Sequence, residues 1–202
     1  MPSANVFYKE VPDKLLDALW DAFRDALAPL HNTGKLGTVH FQFAPWFTRS
    51  QRALAHLDEI RARLPESLLS VEFRHRSWLS DEHLAETLEF MKERGFVHTV
   101  VDSPTGLPNT AGIHWRATNP RLALLRLHGR NKHLWNVRGA STASDRFDYD
   151  YSDRELEELA VLVLELSKKV EVFHVIFNNN NADQGQRNAR TMMRLLRAER
   201  AP

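Results

Sequence analysis

The chain has 202 residues, of which 43% are hydrophobic and 26% charged, with 27 Lys and Arg against 26 Asp and Glu. This composition is typical of a globular protein and excludes low-complexity disorder. Because the chain contains no cysteine, disulfide scaffolds, cysteine-based zinc sites and cysteine nucleophiles are excluded. The longest apolar run, Leu159 to Leu164, is too short to span a membrane, and residues 1–10 show no signal-peptide pattern. We therefore expect a cytoplasmic protein without a membrane partner.

Helical and strand-like patterns of apolar residues alternate along the sequence. The predicted helices, in chain order, are Asp13–Leu30, Ser50–Arg63, Ser80–Arg94, Ser152–Lys168 and Ala182–Arg197. The predicted strands are Gly37–Phe43, Leu69–Phe73, Phe96–Val101, Leu122–His128 and Glu171–Phe177. Long loops at Ser103–Pro120 and Gly129–Tyr151 separate some of these segments. Since a helical crossover returns the chain to the same end of a sheet, the strands should run parallel.

Two architectures are compatible with this order, an open doubly wound sheet and part of a (βα)8 barrel. No glycine-rich phosphate loop follows a strand, which disfavours a nucleotide-binding open sheet. Each strand has one apolar face and one face that becomes polar toward its C-terminal end. A sheet covered by helices on both faces should instead be apolar on both. The pattern therefore predicts an α/β, TIM-barrel-like fold of (βα) repeats with five of eight parallel strands.

A group of polar side chains is predicted to lie on the inner face of this barrel, near the C-terminal ends of the strands. These residues are Gln42, Glu72, Arg74, Asp102, Arg126, His128 and Asn178, and two further polar residues, Arg130 and Asn179, follow the last two strands. Active sites of TIM barrels lie at this end.

The predicted roles follow from the chemistry of these side chains. Arginines bind phosphate or carboxylate groups through bidentate hydrogen bonds. The candidate anion-binding residues are therefore Arg74, Arg126 and Arg130. The amides Gln42, Asn178 and Asn179 are candidates for binding and orienting a substrate. Glu72, Asp102 and His128 are candidate catalytic acids and bases.

Four ordered motifs carry a family resemblance. They are Glu72-Phe73-Arg74-His75 with Trp78, Val101-Asp102-Ser103-Pro104, Arg126-Leu127-His128-Gly129-Arg130, and Phe177-Asn178-Asn179 with Arg187-Asn188-Ala189. Together they resemble the domain-of-unknown-function-72 family, also called YecE-like, over about Phe7 to Leu196. The resemblance implies a TIM-barrel-like fold without an established activity. It also implies that residues 1–202 form a single domain truncated at its N-terminus, because nothing before Val6 matches the first strands of the family.

Missing strands would leave two open sheet edges, at the strand of Phe41 and at the strand of Phe173. The polar inner face would also be uncovered. We therefore predict that the isolated chain is poorly soluble, oligomeric, or complemented by another chain.

Three functional hypotheses follow. In the first, the barrel binds or processes an anionic or phosphorylated ligand, as a hydrolase, lyase or isomerase that uses acid–base chemistry. In the second, it is a metal-dependent phosphodiesterase or nucleic-acid-binding barrel that uses the loop from Arg130 to Arg138. In the third, it is non-catalytic or degenerate, and the polar layer only stabilises the fold. Glu72, Asp102 and His128 are metal-ligand types, but nearby arginines would repel a cation, so no metal or cofactor is assigned.

Overall fold

The computed structural model describes residues 8–136 and 145–198. The helices are α1 (Asp13–Asn32), α2 (Gln51–Arg63), α3 (Leu84–Glu93), α4 (Asp153–Ser167) and α5 (Gln184–Ala198). The strands are β1 (Val39–Gln42), β2 (Leu69–Glu72), β3 (Val97–Asp102), β4 (Leu122–Leu127) and β5 (Val172–Phe177). All ten predicted segments are present, with the largest shift at α3, which begins at Leu84 rather than Ser80. None of the described helices combines the length and the apolar character that a bilayer crossing requires.

The five strands form one parallel sheet in the order β1-β2-β3-β4-β5. A doubly wound sheet would reverse its strand order at a switch point. A sequential order with crossovers of one hand instead places the connecting helices on one face and leaves the other face free. This topology confirms the predicted α/β, TIM-barrel-like fold.

The sheet is strongly curved. In a flat sheet, β1 and β5 would lie about 19 Å apart, at about 4.8 Å per strand. Yet a Cβ atom on Gly37, just before β1, would lie 3.7 Å from His174 Cε1 on β5. Similarly, Arg126 Nη1 on β4 lies 3.2 Å from Gln42 Oε1 on β1. The face without helices is therefore a concave surface on which side chains from distant strands meet.

Two apolar clusters pack the helices onto the convex face. In the first, the buried Trp78 ring stacks on Phe73 at 4.1 Å between centroids, and Trp78 Nε1 donates to the Phe47 carbonyl at 2.7 Å. In the second, Leu125 and Leu127 of β4 pack against buried leucines of α4. The predicted Ser152–Glu155 capping box is present at the start of α4. These clusters leave the concave face as the place for polar chemistry.

The prediction for one strand was wrong, because β3 presents the opposite residues to the concave face. Ser70 of β2 is paired with Val97, and Val101 is paired with Arg126 of β4, so their side chains share a face. Asp102 and His98 therefore point toward the helices. Alternation alone could not assign the faces of β3, because both faces of this strand carry polar side chains. On the convex side, His98 Nε2 lies 3.2 Å from the His114 carbonyl oxygen, whereas the buried Nδ1 has no hydrogen-bond partner among the described residues.

The buried His98 should make the protein acid-sensitive. Burial lowers the pKa of His98 from 6.5 to about 4. The unfolded chain takes up a proton at His98 near pH 6.5, whereas the folded chain takes it up only near pH 4. The fold is therefore unaffected by this group above pH 6.5 and loses stability as the pH falls toward 4. The free energy of unfolding should fall by about 3 kcal/mol from this group across that range. Urea unfolding of His98→Gln at pH 7 and pH 4.5 should show a smaller acid loss than wild type, and equal losses would contradict the assignment.

Candidate functional site on the concave face

A buried carboxylate, Glu72, lies at the centre of the concave face. Its Oε2 accepts a 2.6 Å hydrogen bond from Arg126 Nη1, and its Oε1 lies 3.1 Å from His128 Nε2. His40 Nε2 approaches Oε2 at 3.4 Å. Burial alone would raise the pKa of Glu72, but hydrogen bonds from His128 and His40 and the charge of Arg126 outweigh it and hold the pKa well below its usual range. The carboxylate therefore remains ionised and fixed.

The protonation of His128 follows from its two neighbours. Asn178 Oδ1 accepts from Arg126 Nη2 at 3.1 Å, so the Asn178 amide nitrogen, 3.1 Å from His128 Nδ1, acts as a donor. His128 Nδ1 must then accept, and Nε2 carries the proton that is donated to Glu72. Burial lowers the pKa of His128 against the opposing effect of Glu72, so the ring is neutral at pH 7. Both ring nitrogens of His128 are therefore engaged in hydrogen bonds, Nε2 with Glu72 and Nδ1 with Asn178.

Arg74 is buried beside this centre. Its Nη1 is 3.7 Å from Glu72 Oε1, which is an ion pair without a hydrogen bond. Burial lowers the pKa of Arg74; Glu72 opposes that effect, and the positive charges of Arg146 and Arg126 add to it. Arg74 and Arg126 thus share one carboxylate, which also accepts a hydrogen bond from the neutral His128 ring. Two guanidinium groups therefore lie beside a single carboxylate charge.

Two aromatic side chains cover the centre from the loop after β4, and the sequence did not predict this. The rings of Trp135 and Phe147 lie 6.4 and 5.5 Å from the His128 ring, between centroids, and Arg74 lies 5.5 Å from the Trp135 ring centroid. Trp135 is 3% exposed, yet its Nε1 donor has no hydrogen-bond partner in the described part of the chain. A buried donor without a partner is uncommon in folded proteins.

The concave face brings together six of the nine predicted site residues. They are Gln42, Glu72, Arg74, Arg126, His128 and Asn178. Of these, Glu72 and His128 are fully buried, whereas Gln42 is exposed at the open side of β1. The prediction that the polar face would be uncovered was therefore wrong for its centre, because neighbouring side chains and the aromatic cover enclose it.

Asp102 and Arg130 belong to a second network on the convex side. Arg130 Nε lies 3.0 Å from both Asp102 carboxylate oxygens, and Arg130 Nη1 lies 3.0 Å from Glu155 Oε1. The Tyr151 hydroxyl donates to Asp102 Oδ2 at 2.6 Å and accepts from the Gly129 amide at 2.9 Å. Burial and the Asp102 charge raise the pKa of Tyr151 well above its usual value. This network ties the loop after β4 to β3 and α4.

Asn179 is also separated from the concave centre. Both asparagines follow the end of β5, and their hydrogen-bond partners show that Asn179 faces outward where Asn178 faces inward. Its buried amide donates to the Tyr149 carbonyl at 2.8 Å and to Asn188 Oδ1 at 2.7 Å. Asn188 in turn accepts from the Tyr151 amide at 3.2 Å. Asn179 therefore joins the end of β5 to α5 and to the segment before α4.

The described residues contain no group of three or more His, Cys, Asp or Glu side chains placed to hold a metal ion. Arg126 occupies the position between Glu72 and His40 where a cation would have to bind. Arg138, which was expected to contribute to a nucleic-acid-binding loop, lies outside the described residues.

Replacing Glu72 tests the centre. Glu72→Gln leaves the buried arginines without a counter-charge, so we expect a loss of about 3–5 kcal/mol in unfolding free energy at pH 7. Glu157→Gln, at an exposed position of α4, is the matched control and should cost less than about 0.5 kcal/mol. Urea denaturation measures both. Because the pKa of Glu72 is depressed in the folded state, its contribution is present above about pH 4.5 and is lost as the pH falls; similar losses in the two variants would rule out a central role.

Sequence comparison and structure comparison with known proteins both lead to the same family. A sequence profile described as "Protein of unknown function DUF72" matches residues 8–202. The UPF0759 protein YunF of Bacillus subtilis is 34% identical over 192 residues, which is 94% of this chain and 68% of YunF.

Crystal structures of two DUF72 family proteins superpose on the chain. The protein from Enterococcus faecalis gives a TM-score of 0.85 at 32% identity, covering 89% of this chain and 66% of that protein. The protein from Thermotoga maritima gives 0.79 at 33% identity, covering 88% and 64%. The chain thus spans about two thirds of the length of these relatives. It belongs to the DUF72 family, as the four ordered motifs predicted.

Proposed function

We propose that the concave face binds a small anion, with a phosphate or carboxylate group, at the C-terminal ends of the strands. The observation that carries this proposal is that Arg74 and Arg126 share the single charge of Glu72. A guanidinium that lacks its own carboxylate favours a bidentate anion. The unsatisfied Trp135 Nε1 supplies a further donor close to Arg74.

In this proposal the groups expected to transfer protons act instead by positioning. Glu72 and Asn178 hold Arg126 in one orientation, and His128 links them. Because both His128 nitrogens are occupied and the ring is buried, it can exchange a proton with a ligand only if Asn178 moves. Asp102 lies in the separate network with Arg130 and Tyr151, so it supports the loop that carries the aromatic cover. Binding without acid–base catalysis is therefore the simplest reading of the geometry.

Arg74→Gln is the most direct test, because Arg74 makes no hydrogen bond to Glu72 and the centre should survive its loss. Titration calorimetry at low ionic strength with inorganic phosphate, and separately with malonate, would report binding of each anion class. We expect Arg74→Gln to weaken binding at least about tenfold, since a charge-assisted bidentate contact contributes more than about 1.4 kcal/mol. Arg154→Gln, whose side chain is 87% exposed on α4, is the control and should bind normally. No binding to the wild-type chain, or equal binding by all three proteins, would exclude the proposal.

A second candidate function, nucleic-acid binding, is favoured by a different surface. Four arginines, Arg187, Arg190, Arg194 and Arg197, line an open groove of about 770 Å³ along α5. Their spacing of three and four residues places them along one side of the helix over about 15 Å. Arg187 pairs with Asp150 and Asp183, which leaves the other three to contact a phosphate backbone. The loop from Arg130 to Arg138, which was expected to bind nucleic acid, is less suited to that role. The charge of Arg130 is already matched by Asp102 and Glu155.

The salt dependence of DNA binding tests whether the arginines of α5 form a nucleic-acid-binding surface. A short fluorescein-labelled DNA strand that contacts three arginines should bind with a slope of about −2 in log K against log salt concentration. Replacing Arg190, Arg194 and Arg197 by Gln should abolish binding and the slope. Replacing Arg52, Arg121 and Arg154 by Gln removes the same charge from other exposed positions and should leave both largely unchanged. Equal effects of the two triple variants would mean that only net charge matters.

A further inference from the structure

The loops after β3 and β4 carry two buried polar atoms that have no hydrogen-bond partner among the described residues. One is the Nε1 donor of Trp135, and the other is the Oδ1 acceptor of Asn109. The two loops are joined to each other, because Asn109 Nδ2 donates at 2.7 Å to Oδ1 of Asn136, the residue after Trp135. An unpartnered donor and an unpartnered acceptor therefore lie on adjoining loops, after two strands that each have a neighbour on both sides.

These loops lie beside the buried cation Arg74. Its Cζ atom is 5.5 Å from the centroid of the Trp135 ring, and its Nη1 reaches Glu72 only at 3.7 Å, which is beyond hydrogen-bond distance. The loop between β3 and β4 reaches the segment after β2 as well, since the Arg76 amide donates to the Pro108 carbonyl at 3.4 Å. The loops that follow β2, β3 and β4 therefore meet near the Arg74 guanidinium.

A hydroxyl group complements both unpartnered atoms, because it is a donor and an acceptor at once. Its oxygen can accept a hydrogen bond from Trp135 Nε1, and its hydrogen can be donated to Asn109 Oδ1. An ionised carboxylate only accepts and an ammonium group only donates, so neither of them fits both atoms. Since a buried polar atom without a partner costs free energy, the two loops favour a ligand that has a hydroxyl group over one that lacks it.

We propose that the ligand of the concave centre is a hydroxylated organic anion, whose hydroxyl group binds between Trp135 Nε1 and Asn109 Oδ1. This inference rests on the proposed function, because Arg74 and Arg126 bind the anionic group of the same ligand. Since Arg74 lies next to Trp135, the hydroxyl group has to be on a carbon atom close to the anionic group. A 2-hydroxy acid and the phosphate ester of a small diol both have this arrangement.

Pairs of anions that differ by one hydroxyl group test this proposal on the wild-type chain. Lactate is compared with propionate, and 2-hydroxyethyl phosphate with ethyl phosphate, by titration calorimetry at low ionic strength. In at least one pair the hydroxylated anion should bind about fivefold more tightly or better, because it satisfies both buried atoms. Equal affinities within both pairs would mean that water serves these atoms equally well, which overturns this inference and leaves the anion site standing. If none of the four anions and no inorganic phosphate binds, both proposals fail together.

Three variants test the two atoms themselves. Trp135→Phe removes the Nε1 donor but keeps an aromatic ring, and Asn109→Ala removes the acceptor. Each should reduce the fivefold preference for the hydroxylated anion to less than about twofold. Asn136→Ala is the matched control, because it breaks the same hydrogen bond between Asn109 and Asn136 but keeps Asn109 Oδ1, so the preference should remain.

Circular dichroism melts establish that each of the three variants folds. A preference that is unchanged in Trp135→Phe or in Asn109→Ala would overturn the assignment of the hydroxyl group to these atoms. A preference that is lost equally in Asn136→Ala would overturn it too, because the arrangement of the loops would then determine the selectivity.

Discussion

The ion pair between Glu72 and Arg126 organises the concave face. Residues from four of the five strands meet there: His40 and Gln42 from β1, Glu72 from β2, Arg126 and His128 around the end of β4, and Asn178 after β5. A buried charge is tolerated only with a partner and full hydrogen bonding. These contacts can form only if the sheet curves enough to bring β1 across from β4. The network is therefore inseparable from the barrel-like shape.

The sequence predicted the fold well because the underlying signals are local. Helical and strand-like periods, the Ser152 capping box and the parallel connections depend on neighbouring residues, and the structure follows them closely. The Glu72, Arg126, His128 and Asn178 cluster was also predictable, since simple alternation places each side chain on the same face. Ordered motifs supplied the family independently of those periods.

Two features were beyond local reasoning. On β3, polar residues occur on both faces, so only pairing with β2 and β4 decides that Asp102 points outward. The aromatic cover depends on how the long loop after β4 folds back, and spacing gives no information about that path. In both cases a distant partner, Tyr151 for Asp102 and His128 for Trp135, determines the position. Candidate sites read from alternation are thus most reliable where one face is uniformly apolar.

The adjacent amides at the end of β5 have a consequence for folding fidelity. β5 is the last strand of the described sheet and pairs only with β4 there, so it lacks the second neighbour that fixes an internal strand. A slip of one residue would turn Asn178 toward the helices and Asn179 toward the concave centre. Both amides would then lose their partners at once, Arg126 and His128 on one side, Tyr149 and Asn188 on the other. The two asparagines therefore stabilise the register of this edge strand through hydrogen bonds on both faces of the sheet.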